Sequence, residues 1–71
     1  MWKYRFIFEL KHRVLAQIRI ERNSVEEAYA YFLEKYGSYE EDLLYITRLS
    51  YHKEETVRFK RSTITKGKVI A

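Results

Sequence analysis

Basic side chains at alternate positions are the residues of this chain best suited to bind a ligand. Lys and Arg alternate with apolar residues near both ends of the sequence. A row of such cations binds phosphate groups or acidic side chains through charge. We predict a binding set made of Lys3, Arg5, Arg13, Arg19, Arg48, Arg58 and Lys60.

Residues that could act as acids, bases or metal ligands are few and scattered. His12 and His52 lie in predicted turns, and no nearby residue is placed to orient either ring. The run Glu40–Asp42 lacks the glycine of a calcium-binding loop, and the chain has no cysteine. We therefore predict no catalytic residue, no metal and no cofactor, and no small-molecule substrate is evident. A metal-independent ribonuclease built from Arg, Lys, His and Tyr stays open as an alternative.

Charge is unevenly distributed along the 71 residues, whose formal net charge is +4. Residues 1–23 carry six Lys or Arg against two acids, and residues 56–71 carry five against none. Residues 24–55 carry three against eight. Such asymmetry bears on partners rather than on fold, and it favours an anionic partner for the basic segments.

Composition indicates one small folded domain. The chain is 46% hydrophobic, with one Trp, seven Tyr and four Phe, which excludes a disordered chain. It shows neither a secretory signal nor an apolar run of about 18 residues, so we expect a cytoplasmic protein without a membrane partner. We predict one domain over residues 1–62, with residues 63–71 as a basic tail or a short strand extension.

The first third of the chain alternates with a period of two, which is typical of half-buried strands. Trp2, Tyr4, Phe6, Phe8 and Leu10 fall on one side of a first strand, predicted to be buried. A second strand follows the connector 11–13. Its predicted inward side chains are Val14, Ala16, Ile18 and Ile20.

A helix is predicted over residues 24–36. Ser24 and Glu27 form a capping box at its start, and apolar residues recur with helical spacing from Val25 to Tyr36. Gly37 is predicted to end the helix in the left-handed conformation.

Two further strands are predicted after the helix. The first covers residues 43–51, and a helix over 40–52 is the competing interpretation. The second covers 56–60, with Val57 and Phe59 inward. The side chains predicted to face inward from the first are Leu43, Tyr45, Thr47, Leu49 and Tyr51.

The element order ββαββ predicts an α+β fold in which one helix packs on one face of a four-stranded antiparallel sheet. The other face is then open, and it would carry the basic set together with an apolar contact patch. That predicted patch consists of Ile7, Leu15, Leu44 and Ile46.

An exposed apolar patch indicates a protein partner or a homodimer, in the manner of a small regulator or inhibitor. DNA or RNA bound through its phosphates is the alternative use of the same basic face. Because the first-strand aromatics are predicted to be buried, base stacking is not expected there.

The segment from Trp2 to Leu33 resembles the small sheet-and-helix domains at the N-termini of phage tyrosine recombinases. The resemblance rests on the opening Trp2-Lys3-Tyr4-Arg5, the hairpin, and the Glu27-Ala28 step of the helix. It implies DNA binding through the sheet. Those domains have three strands before the helix and this chain has two, so the resemblance assigns no site residue.

Overall fold

The computed structural model describes residues 2–60, which form a four-stranded antiparallel sheet and one α-helix, confirming the predicted fold. The sheet order is β2-β1-β3-β4, so β2 and β3 run parallel on either side of β1 and the helix makes the crossover between them. The elements are β1 (Tyr4–Leu10), β2 (Gln17–Arg22), α1 (Val25–Tyr36), a 3₁₀ helix (Gly37–Asp42), β3 (Leu43–Ser50) and β4 (Thr56–Lys60).

β1 is one of the two inner strands of the sheet, and it carries much of the core. Phe6, Phe8 and Leu10 are buried as predicted. The ring of Phe8 stacks on Phe32 of α1 with 4.7 Å between ring centres. Trp2 precedes the strand and is 42% exposed, so the prediction that it is buried was wrong.

β2 begins three residues later than predicted. The β1–β2 connector covers residues 11–16, and Val14 within it is 89% exposed rather than inward. The sequence offers no Asn-Gly for a tight hairpin turn. Instead the His12 Nδ1 accepts hydrogen bonds from the amides of Val14 and Leu15, at 3.2 and 3.0 Å, and fixes a wider loop.

The start of α1 is capped as predicted. The Ser24 hydroxyl accepts a hydrogen bond from the Glu27 amide at 3.2 Å. The Glu27 carboxylate accepts in turn from the Asn23 amide at 3.2 Å, one residue earlier than a standard capping box. Asn23 Oδ1 also accepts from the Lys3 amide at 2.9 Å, which ties the helix start to the start of β1.

The end of α1 differs from the prediction. Gly37 has φ −57° and ψ −29°, a right-handed conformation, so it does not form a left-handed cap. The chain continues directly into the 3₁₀ helix. The Tyr29 hydroxyl donates to Glu40 at 2.7 Å, which anchors this turn to the buried side of α1.

β3 contains a β-bulge that reverses most of its predicted facing. Glu9 pairs with Tyr45, but Leu10 pairs with Leu43, so Leu44 is an extra residue. Leu43 and Ile46 are therefore both buried although they are three residues apart. The predicted inward side chains Tyr45, Thr47 and Leu49 lie on the opposite face, because the alternation of β3 shifts by one at the bulge.

The helix does not cover the whole sheet. Its backbone lies nearest β2, and β4 at the other edge keeps Val57 and Phe59 half-buried on the helix side, which is the face predicted for them. The predicted tail at 63–71 lies outside the described residues. Within residues 2–60 the one α-helix is too short and too polar to cross a membrane.

The bulge can be tested with two alanine variants. Ile46→Ala removes a fully buried side chain, so we expect the free energy of unfolding to fall by about 2–5 kcal/mol. Leu44→Ala alters a side chain that is 48% exposed and should cost less than about 1 kcal/mol. Urea unfolding measures both values, and equal losses would contradict the bulge.

Candidate functional site

The sheet face opposite the helix is the candidate site, and we call it the open face. Directly paired residues of antiparallel strands share a face, so the strand register identifies its members. They are Arg5, Ile7, Glu9, Gln17, Arg19, Glu21, Tyr45, Thr47, Leu49, Thr56, Arg58 and Lys60.

Part of the charge on the open face is already balanced. Arg5 lies 3.7 Å from the carboxylate of Glu21, whereas Glu9 accepts a hydrogen bond at 2.7 Å from Gln17, whose neutral amide does not balance its charge. Arg19 and Lys60 are exposed and form no ion pair within the described residues 2–60. These two cations are the ones most available to an external anion.

Arg58 is held on the open face by an aromatic ring. Its guanidinium lies 4.2 Å from the ring centre of the half-buried Tyr45, a cation–π contact between β4 and β3. The contact leaves Arg58 exposed and limits its orientations, so it can bind an anion at a smaller entropic cost.

Arg48 is not part of the open face, so the prediction that it belongs to the binding set on that face was wrong. It pairs with Phe6 in register and so lies on the helix side. Its guanidinium is 4.5 Å from the ring centre of Tyr4 and 6.0 Å from that of Phe59, and it forms an ion pair with Glu55 at 3.3 Å. The bulge causes this reversal as well.

The other predicted basic residues are divided among three places. Arg5, Arg19, Arg58 and Lys60 lie on the open face. Lys3 is exposed just before β1, and Arg13 is exposed in the β1–β2 connector.

The predicted apolar contact patch does not form. Ile46 is fully buried, and Leu15 is partly buried against the core. Leu44 is exposed at the bulge, and only Ile7, half-buried between charged neighbours, lies on the open face in register with its strand partners. The four residues therefore do not make a common surface.

Aromatic side chains on the open face were missed by sequence reasoning. Tyr45 lies there, and Tyr51 follows β3 with its hydroxyl against two open-face residues. The available signal was the spacing of three between Leu43 and Ile46, which fits a bulged strand as well as a helix.

A cleft adjoins the open face at the end of the sheet where β1 begins. It has a volume of about 580 Å³ and is lined by Trp2, Glu21, Tyr51 and His52. The amide of Tyr51 donates to the carbonyl of Lys3 at 3.0 Å, which brings the β3 end beside the chain that leads into β1.

A polar network joins the cleft to the open face. Arg5 Nε donates to the Tyr51 hydroxyl at 3.1 Å, and this hydroxyl donates to the carboxylate of Glu21. The hydrogen bond to the Glu21 carboxylate is the main reason that the pKa of Tyr51 is raised above its ordinary value of 10.0. The neighbouring guanidinium of Arg5 acts in the lowering direction.

The two histidines have different surroundings. His12 bonds to its own loop, and its ring makes an edge contact with Tyr39 at 5.0 Å between centres. His52 is exposed and lines the cleft. Within residues 2–60, no group of three or more His, Asp or Glu side chains is arranged to hold a metal ion.

Comparisons with known proteins found no matching family model, no matching curated protein and no matching solved structure. The resemblance to recombinase N-terminal domains stays a prediction.

The polar network can be tested through the titration of Tyr51. Glu21→Gln replaces the acceptor carboxylate with a neutral amide, so we expect the pKa of Tyr51 to fall toward 10.0. NMR of ring-labelled tyrosine over an alkaline pH series measures it. Glu9→Gln is the matched control, because Glu9 lies on the same face and bonds to Gln17 instead. A Tyr51 pKa that is unchanged by Glu21→Gln would contradict the network.

Proposed function

We propose that this chain is a small non-enzymatic module that binds single-stranded nucleic acid across its open face. The observation that carries the proposal is a combination on one uncovered sheet face. Three exposed cations that form no ion pair within residues 2–60 lie there with tyrosine rings, and these cations are Arg19, Arg58 and Lys60. Proteins that bind single strands combine a basic surface along the backbone with aromatic rings on which bases stack.

The spacing of the cations suits an extended polyanion. Arg19 on β2 and Arg58 on β4 lie in one row that crosses all four strands through Ile7 and Thr47. At about 4.8 Å between neighbouring strands, this row is about 14 Å long. A strand stacked as in a duplex, at about 3.4 Å per nucleotide, covers that distance with about four nucleotides, and an extended strand covers it with fewer.

A protein partner or homodimer is supported less well by this surface. That hypothesis depended on the apolar patch, but Ile46 is buried and Leu15 packs against the core, so neither residue contributes to such a patch. Ile7 is left as a half-buried residue between Arg19 and Thr47. A surface of this composition favours an anionic ligand over an apolar one.

Binding through phosphates can be tested by the salt dependence of affinity. We expect the affinity for a labelled single-stranded RNA or DNA to fall steeply with salt, by about 0.7 logarithmic units per contact for each tenfold rise. The double variant Arg19→Glu with Arg58→Glu should weaken binding and reduce that slope by about 1.4, for two lost contacts. Fluorescence anisotropy over a salt series provides both quantities.

The matched control is the double variant Lys11→Glu with Lys35→Glu. It changes the net charge equally, but Lys11 lies in the β1–β2 connector and Lys35 in the last turn of α1. Affinity that does not respond to salt, or equal losses in both double variants, would reject the open face as the binding surface.

A metal-independent ribonuclease is a second candidate, because Glu21 and His52 line the same cleft. In that function Glu21 takes the proton of a ribose 2′-hydroxyl, whose oxygen attacks the adjacent phosphorus. The bond from phosphorus to the 5′-oxygen breaks, and protonated His52 supplies the proton to that leaving oxygen. The products are a 2′,3′-cyclic phosphate and a free 5′-hydroxyl.

Incubation with RNA in the presence of a chelator tests the second candidate. Ribonuclease activity predicts products with cyclic phosphate ends, no cleavage of DNA of the same sequence, and loss of cleavage in His52→Ala. His12→Ala is the control, since His12 lies in the β1–β2 connector. RNA that stays intact rejects this candidate and leaves the binding proposal standing.

A further inference from the structure

The cleft formed by Trp2, Glu21, Tyr51 and His52 is a separate feature from the row of cations on the open face. Its volume of about 580 Å³ falls within the range of small-ligand pockets, about 300–1,000 Å³. Two of the lining side chains are large exposed aromatics, since Trp2 is 42% and Tyr51 is 46% exposed. Exposed rings beside a cleft favour a planar ligand that can stack on them.

The two rings are held in place by arginines. The guanidinium of Arg22 lies 4.9 Å from the ring centre of Trp2 and 4.4 Å from that of Tyr31, so it makes cation–π contacts with both rings. The guanidinium of Arg5 lies 5.6 Å from the ring centre of Tyr51. These contacts reduce the freedom that the rings would lose when a ligand binds.

Local charge disfavours a cation as the ligand of this cleft. Arg5 and Arg22 already contact the two rings, and Lys3 lies next to Trp2 in the chain, whereas Glu21 is the carboxylate among the lining residues. The surroundings are thus more positive than negative. A neutral heterocycle attached to a phosphate fits this balance better than an ammonium group does.

Glu21 determines which heterocycle is favoured. One carboxylate oxygen, Oε2, accepts from the Tyr51 hydroxyl and lies 3.7 Å from Arg5. The other oxygen, Oε1, accepts no hydrogen bond from within the described residues 2–60. An ionised carboxylate only accepts hydrogen bonds, so it selects bases whose edge presents N–H donors.

Guanine presents two adjacent donors, N1–H and the N2 amino group, which match a carboxylate. Uracil presents one N–H between two carbonyl oxygens, and these oxygens repel a carboxylate. We infer that the cleft binds one base of a nucleic-acid strand and prefers guanine to uracil. The inference rests on the proposed function for the strand itself, and it assigns Glu21 to the base rather than to proton transfer.

The fluorescence of Trp2 reports directly on the cleft, because it is the single tryptophan of the chain. We expect guanosine monophosphate to quench it in a saturable way and to bind at least about fivefold more tightly than uridine monophosphate. Ribose 5-phosphate, the phosphate-only probe, should leave the emission unchanged. Tyr51→Leu removes one stacking ring and should lower the affinity for guanosine monophosphate by about fivefold or more.

Replacing the Glu21 carboxylate, which only accepts hydrogen bonds, with an amide, which both donates and accepts, tests the role of Glu21. In Glu21→Gln the amide can donate to a uracil carbonyl and accept from its N–H, so the preference for guanosine monophosphate should disappear or reverse. Glu34→Gln, at an exposed position of α1, changes the charge equally and should keep the wild-type preference.

The outcomes separate this inference from the proposed function. If an oligonucleotide binds in a salt-dependent way but mononucleotides cause no saturable quenching, the inference of a base-binding cleft is overturned. The proposal that the open face binds a strand is then unaffected. Equal affinities for the two mononucleotides, with no change in their ratio in Glu21→Gln, overturn the guanine preference. If guanosine monophosphate quenches specifically but no oligonucleotide binds, the cleft is supported as a guanine site and the proposed binding of a strand is rejected.

Discussion

The extra residue at Leu44 decides which side chains the open face carries. A straight strand would turn either Leu43 or Ile46 away from the helix, because strand side chains alternate. The bulge allows both to be fully buried against the helix side of the sheet. The bulge interrupts the hydrogen-bond ladder between β1 and β3, and the burial of two large aliphatic side chains offsets that loss. Every residue after the bulge then takes the facing opposite to the one expected from Leu43.

That shift changes the chemistry of both faces. It places Arg48 on the helix side, where aromatic rings and Glu55 surround its guanidinium. It places Tyr45 on the open face, where the ring supports Arg58. Because Tyr51 continues the same alternation, its hydroxyl reaches Arg5 and the cleft forms beside it. A single inserted residue thus takes Ile46 and Arg48 away from the open face and places Tyr45 on it.

Local sequence patterns were sufficient to predict those elements whose spacing of buried residues is not changed by a neighbouring element. The alternation from Phe6 to Leu10 and the cap at Ser24 are set by residues close in sequence, and both are found as predicted. The β1–β2 connector was misjudged because the side chain of His12 organises it, and no turn signal in the sequence reveals that. Gly37 was misjudged because the chain winds on into a 3₁₀ helix.

By itself the sequence determined the order of the elements, the α+β class, the aromatic core of β1 and the excess of basic residues near both ends. Those properties follow from composition and from short-range periodicity. Only the tertiary structure decided the register of β3 on β1, which depends on how Leu43 and Ile46 fit under the helix together. It also decided that Glu21, far from Tyr51 in sequence, lies against its hydroxyl. Both are long-range packing results, because strand pairing joins residues that no local pattern connects.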